Sequence, residues 1–247
     1  MVHFGFSYGH GLKTAGKEIP ASMGVGKVKE FTLNKAVGEH CRNYLLNNYK
    51  NVKVTVLNDI SGNTDTSLSE RSSKANSLNV DAVIDFHHNA GGGTGIVVYK
   101  FIRGTAGTTD VLAQAVMEEL LKSPGNKGDR WKNLLTENFH ILRETAMPAI
   151  LIENGFMDNV VDAKKIVTED YQLKSGISIA KALARVYKLE VKPQQTPPPT
   201  SQPSPTGVKR VIVDGKQAGA YKENSNVLNQ VKKALDGGAK KVEITRV

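Results

Sequence analysis

The sequence predicts an α/β fold, a mixed and largely parallel sheet flanked by helices on both faces, followed by a small α+β module at the C-terminus. Three observations carry this. Short apolar and β-branched runs alternate with amphipathic helical stretches through the first 190 residues, the pattern of successive strand–helix–strand units. Residues 80–87 are a nearly continuous apolar run, and residues 148–153 form another that reads as buried. A polar stretch at residues 193–205 holds six of the nine prolines, cannot build helix or sheet, and sets apart a last segment with strand and helix signals of its own.

Taken in order, residues 2–8 are a short apolar and aromatic strand that stops at Gly9. Residues 28–49 place Val37, Cys41, Tyr44, Leu45 and Tyr49 at i, i+3, i+4 spacing, so one helical face is apolar. Residues 52–57 alternate as a strand should. Ser67 with Glu70 three residues later is a capping box, which starts a helix that runs through Asn76. Strands follow at 80–87 and 95–101, then a helix over about 109–122, a strand at 148–153 and a closing helix at 170–188. The last segment reads as a strand from Val208, an Asp214-Gly215 turn, a short strand, a helix over about 224–235, a Gly237-Gly238 stop and a strand at 241–247. The expected organisation is a catalytic domain over 1–190, a linker over 191–207 and a small basic module over 208–247.

Composition narrows the function class. No run of about 18 apolar residues occurs, so no transmembrane helix is expected. The start Met1-Val2-His3-Phe4-Gly5-Phe6 lacks the basic residues and apolar stretch of a secretory signal, which implies synthesis in a cytoplasm. Cys41 is the only cysteine, which excludes an internal disulfide, and its place on an apolar helix face marks it as a packed thiol. No Gly-x-Ser-x-Gly elbow is present, so covalent catalysis is not indicated. The formal charge is +9, and it is unevenly spread: residues 1–190 carry 23 basic against 20 acidic side chains, residues 208–247 nine against four. Such an excess attracts polyanions. Nucleic acid is disfavoured because the basic tail holds a single aromatic, Tyr221, and base stacking needs more.

In open α/β sheets ligands bind beyond the carboxyl ends of the strands. His10, His87 and Glu153 lie at or just past such ends and Glu30 lies in the first turn of a helix, so the four are expected on one edge. Catalytic zinc takes three nitrogen or oxygen ligands and leaves a fourth position open, which two histidines and a carboxylate satisfy. Each residue also has a plainer reading. His10 is flanked by glycines, as in a turn. Glu30 is a favourable charge near a helix N-terminus, with Glu18 and Glu39 as competing carboxylates. Strand alternation sends His87 and His88 to opposite faces, so only one is a ligand and the other lines the cleft. Glu153 ends an apolar strand, where an unpaired carboxylate is costly; its structural alternative is a salt bridge to Arg71 or Arg143. Arg71 reads as an ordinary helix-face charge, Gly91 to Gly95 as a flexible cleft rim, and His3, His40 and His140 as structural or surface residues.

Five motifs stand in order: Tyr8-Gly9-His10-Gly11, Val28-Lys29-Glu30, the helix from Leu68 through Arg71 to Ala75-Asn76, Asp85-Phe86-His87-His88-Asn89, and the run from Leu142 through Pro148 to Glu153-Asn154-Gly155-Phe156. With them, residues 1 to about 189 resemble the zinc-dependent N-acetylmuramoyl-L-alanine amidases, which cut bacterial peptidoglycan between the lactyl group of muramic acid and the stem peptide. The resemblance implies that His10, Glu30 and His87 hold Zn2+. It implies that Glu153 takes a proton from the attacking water and returns it to the leaving amine, with no acyl-enzyme. The chain departs from the family pattern at Asp85, where serine is usual, and at His88, where the residue is usually small. The C-terminal module resembles wall-targeting modules of bacteriophage lytic enzymes, with dimerisation, and hence a homo-oligomer, as its alternative role. The implied partners are peptidoglycan and associated anionic wall polymers, with no nucleic acid and no membrane insertion. A wall substrate without an export signal implies a phage or prophage endolysin that acts on the wall after release. The alternatives are a host autolysin freed at mother-cell lysis and a non-catalytic wall-binding protein on an amidase fold.

Overall fold

The structure, a computed structural model, describes residues 1–102, 107–122, 126–128, 133–193 and 209–246. It divides into two compact units, Met1–Lys192 and Pro193–Val247. The expected linker, residues 191–207, lies almost wholly outside the described residues.

In the first unit the strands are β1 (Val2–Tyr8), β2 (Val52–Val56), β3 (Ala82–Asn89), β4 (Ile96–Phe101), β5 (Leu134–Glu137) and β6 (Ala149–Phe156). The helices are α1 (Glu30–Asn48), α2 (Leu68–Ser77), α3 (Thr108–Leu121), α4 (His140–Arg143), α5 (Val160–Ile166) and α6 (Glu169–Val186), with one 3₁₀ turn at Ala21–Met23. The strands form one sheet in the order β2-β1-β3-β6-β4-β5. All neighbours are parallel except β4 and β6, which run antiparallel. The α/β class with a mixed, largely parallel sheet therefore holds. Sequence periodicity missed β5, α4 and α5, which have only four, four and seven residues. A helical or strand period needs more positions than that to show.

Side-chain alternation splits the core into two layers. Phe4, Phe6, Ile84, Phe86, Ile150 and Ile152 face α1, α3 and α6, while Val83, Ala149 and Leu151 face α2 and α4. The same parity puts Asp85, His87 and Glu153 on the α2 side and His88 on the α1 side. The capping box forms as expected: Ser67 accepts from the Glu70 backbone, and the Glu70 carboxylate accepts from the Ser67 N–H. Helix α1 begins at Glu30 and not at residue 28, because Lys29 stays extended and bridges Glu18.

The second unit is a three-stranded antiparallel sheet of β7 (Lys209–Val213), β8 (Lys216–Tyr221) and β9 (Val242–Arg246) in the order β8-β7-β9, with helix α7 (Asn224–Asp236) between the last two in sequence. The Asp214-Gly215 turn has both residues at positive φ, 48° and 81°, as a tight hairpin requires. The Asp214 carboxylate also accepts from the backbone N–H groups of Lys240 and Lys241, which ties the turn to the start of β9. Among its described residues, Val211 and Val227 are the buried apolar ones.

Candidate metal centre and active site

His10 follows β1 and adopts the left-handed conformation at φ 64°. A side chain at positive φ is strained by about 1–3 kcal/mol and persists only where its surroundings impose it. Here Arg71 imposes it. Its guanidinium donates to the carbonyls of Tyr8 (2.9 Å), His10 (3.2 Å) and Thr66 (2.8 Å) and to the Ser7 hydroxyl (3.0 Å). At 2 % exposure Arg71 is no ordinary helix-face charge; it is a buried clamp on the His10 turn. The LxxRxxxAN spacing of Leu68 to Asn76 reveals the helix but not the direction of the side chain.

Glu30 opens α1 and is 1 % exposed. Its Oε2 lies 3.3 Å from His10 Nε2, and its Oε1 lies 3.0 Å from His87 Nδ1. The two competing carboxylates are engaged elsewhere: Glu18 pairs with Lys29 at 2.7 Å, and Glu39 accepts from the Tyr8 hydroxyl and from Arg42. One donor atom from each of His10, Glu30 and His87 falls within 4.8 Å of the others. Tetrahedral zinc with bonds near 2.0–2.1 Å separates its ligands by roughly 3.3 Å, so the triad is close to ligand spacing. The Glu30 Oε2 atom is buried and accepts no hydrogen bond, a cost that a cation between it and the histidines removes. Burial alone would raise the Glu30 pKa, yet the His10 and His87 rings hold it well below the carboxylate range. The residues therefore fit a divalent metal.

His87 sits in β3 directly across the parallel register from Glu153 in β6, so the two side chains are neighbours on one face. The register slips just after them, between His87 and Asn89, a bulge of the kind found beside functional sites. The His87 ring packs on the Gly9 backbone: a Cβ at Gly9 would lie 2.1 Å from Cε1, so only glycine leaves room. Its other nitrogen, Nε2, lies 3.4 Å from Asp85 Oδ2. Glu153 has a buried Oε2 without a partner, and burial pushes its pKa up to about 7, with the Glu30 and Asp85 charges adding to the shift against the His87 ring. Neither alternative partner takes it, since Arg71 pairs with Asp65 and Arg143 with Glu144.

The expectation that His88 lines the cleft is not met. It is 2 % exposed and points into the α1 layer, where its Nδ1 lies 2.8 Å from Asn34 Oδ1. Burial pushes its pKa down to about 3. Asn34 also donates to the Gly9 carbonyl at 3.1 Å and to Glu30 Oε1 at 3.4 Å, joining α1, β3 and the His10 turn. Sequence reading missed it; the available signal was its place four residues after Glu30, on the same helix face. The glycine run is tied down as well: Gly91 and Gly92 donate to Asp158, and Gly95 to Asp162.

This fold recurs among known proteins. The family profile for N-acetylmuramoyl-L-alanine amidase matches residues 7–185. The N-acetylmuramoyl-L-alanine amidase CwlM of Bacillus licheniformis is 40% identical over 189 residues, covering 76% of this chain and 70% of that protein. The sporulation-specific N-acetylmuramoyl-L-alanine amidase of Bacillus subtilis is 32% identical over 226 residues, covering 92% and 78%. The endolysin of Bacillus phage SPP1 is 28% identical over 209 residues, covering 83% and 73%. Among solved structures, the N-acetylmuramoyl-L-alanine amidase of Clostridium difficile 630 superposes with a TM-score of 0.67 at 28% identity, over 76% of this chain and 97% of that one. A profile match spanning most of the chain, over the residues that build the sheet and gather His10, Glu30 and His87, makes this protein a member of the N-acetylmuramoyl-L-alanine amidase family, hydrolases of bacterial peptidoglycan.

Proposed function

We propose that this amidase is zinc-dependent, with His10, Glu30 and His87 as ligands and Glu153 as the proton carrier, and that it cuts the amide between N-acetylmuramic acid and L-alanine. The observation that carries this reading is the buried Glu30 carboxylate set between two imidazoles, its Oε2 without a hydrogen bond and 3.3 Å from His10 Nε2, its Oε1 3.0 Å from His87 Nδ1. Two histidines and a carboxylate suit zinc, which when bound polarises a scissile carbonyl and makes water more acidic. Glu153 takes the proton of the attacking water and passes it to the leaving amine, a task suited to a carboxyl whose pKa is near neutrality. Chelator treatment should abolish cleavage and zinc should restore it. Glu153→Gln should keep the metal and lose at least about 10²-fold in rate. Mass analysis of digested peptidoglycan should show new L-alanine N-termini; cuts elsewhere would overturn the assigned bond, and full activity in metal-free protein would overturn the zinc.

The enzyme acts in cell lysis as an endolysin, a reading supported by the likeness to the phage SPP1 endolysin. The longer alignment with the sporulation-specific amidase favours a second reading, an autolysin acting at mother-cell lysis. Transcript timing separates them: expression that rises on prophage induction supports the first, and expression confined to sporulation supports the second. Residues 208–247, with nine basic against four acidic side chains, form the wall-binding module and hold the enzyme on anionic polymer.

A further inference from the structure

We propose that Asp85 is a positioning residue for the metal site, accepting from the Nε2–H of His87 so that the Nδ1 lone pair faces Glu30 and the metal, an inference that rests on the zinc reading above. A neutral imidazole offers a lone pair on only one nitrogen, and the partner of the other nitrogen decides which. Nδ1 lies 3.0 Å from Glu30 Oε1, the carboxylate shared with His10, and Nε2 lies 3.4 Å from Asp85 Oδ2. The second distance is long beside the usual hydrogen-bond value of about 2.9 Å, so the contact is an ion-pair approach. Each ring nitrogen faces a different carboxylate, Nδ1 toward Glu30 and Nε2 toward Asp85. The ring is also confined, packed against the Gly9 backbone on one side.

Asp85 is itself held in place. Ser7 is its register partner on β1, so the two side chains are neighbours on one face, and the Ser7 hydroxyl accepts from Arg71 Nη1 at 3.0 Å. A line of contacts thus runs from Arg71 through Ser7 and Asp85 to His87. Asp85 is 2 % exposed and its Oδ1 has no partner, a poor arrangement for a residue whose purpose is packing. Carboxylate partners of metal-bound histidines fix the tautomer and raise ligand basicity, and losing one typically costs about 10–100-fold in metal affinity.

Zinc affinity is measured by competition with a chromophoric chelator for wild type, Asp85→Ala and Asp85→Asn, with thermal melting of each metal-free protein alongside. Asp85→Ala should bind zinc about 10–100-fold more weakly. Asp85→Asn, whose amide oxygen still accepts the Nε2 proton, should keep most of the affinity. A purely structural Asp85 would lower the metal-free melting temperature and leave affinity unmoved. Zinc-loaded wild type carrying ¹⁵N-histidine needs no variant: His87 should show a protonated Nε2 and a metal-shifted Nδ1. Affinity in Asp85→Ala within about twofold of wild type, or the reverse nitrogen assignment, overturns the role of Asp85 alone. Wild type that takes up no zinc overturns the zinc reading with it.

Discussion

At the scale of single residues, conformational strain and burial are both concentrated at the proposed metal site. His10 sits at φ 64°, where glycine carries no strain. His10→Gly and His10→Ala should both lose zinc, yet metal-free His10→Gly should be more stable than His10→Ala by about 1 kcal/mol, read from urea unfolding midpoints. Equal stabilities would mean that the turn is not strained. His88 gives a pH-dependent test. Its folded pKa of about 3 lies below the unfolded value near 6.5, so between these the unfolded chain binds the extra proton. Stability associated with the neutral ring is therefore present above pH 6.5 and lost as pH falls toward 3. Between pH 7.5 and 5 wild type should lose about 2 kcal/mol more than His88→Asn; parallel curves for the two proteins would show that His88 is not buried neutral.

At the scale of elements, α2 has two parts of different consequence. Its N-terminus is an exposed capping box, and its middle sends Arg71 under the His10 turn. Ser67→Ala should cost about 1 kcal/mol and leave zinc binding intact. Arg71→Met should cost about 3–5 kcal/mol, because it strips the cation from a buried cluster and leaves three backbone carbonyls unpaired, and it should also release the metal. Zinc content and unfolding midpoints of the two variants check this together. The pairing of β3 with β6 is equally specific. A slip of one residue would send His87 and Glu153 to the opposite face, and the apolar residues on either side of them prevent it.

At the scale of the whole molecule, the catalytic unit ends later than the helical pattern implies. Beyond α6 the Glu190 carbonyl accepts from the Lys50 N–H, and the Lys192 N–H donates to the Asn48 carbonyl, so residues 190–192 belong to the first unit. A truncation after Lys192 should keep the melting temperature, the zinc and cleavage of soluble fragments, while sedimenting less with intact walls. If charge dominates wall binding of the full chain, that binding should fade as the screening length drops from about 10 Å at 0.1 M salt to about 3 Å at 1 M. Sedimentation of the truncated protein equal to that of the full chain would remove the wall-binding role from residues 208–247.

The sequence by itself determined the α/β class, the longer elements to within a few residues, and the gathering of His10, Glu30 and His87, with Glu153 across from His87, at one edge of the sheet. These were legible because each rests on local order: a period along a helix or strand, a cap, or a motif at a strand end. Only the tertiary structure decided what the remaining polar residues do. Arg71 and Asn34 look like surface positions on their helices, and Asp85 and His88 fall on opposite faces of one alternating strand. Whether such a side chain meets solvent, a backbone carbonyl or a metal ligand depends on which element crosses above it. Residues 64 or 54 positions apart are brought to within 3 Å, as Arg71 is to Ser7 and His88 to Asn34. No local periodicity encodes those meetings, because the partner's position is set by sheet order and crossing helices and not by the residue's own neighbours in the chain.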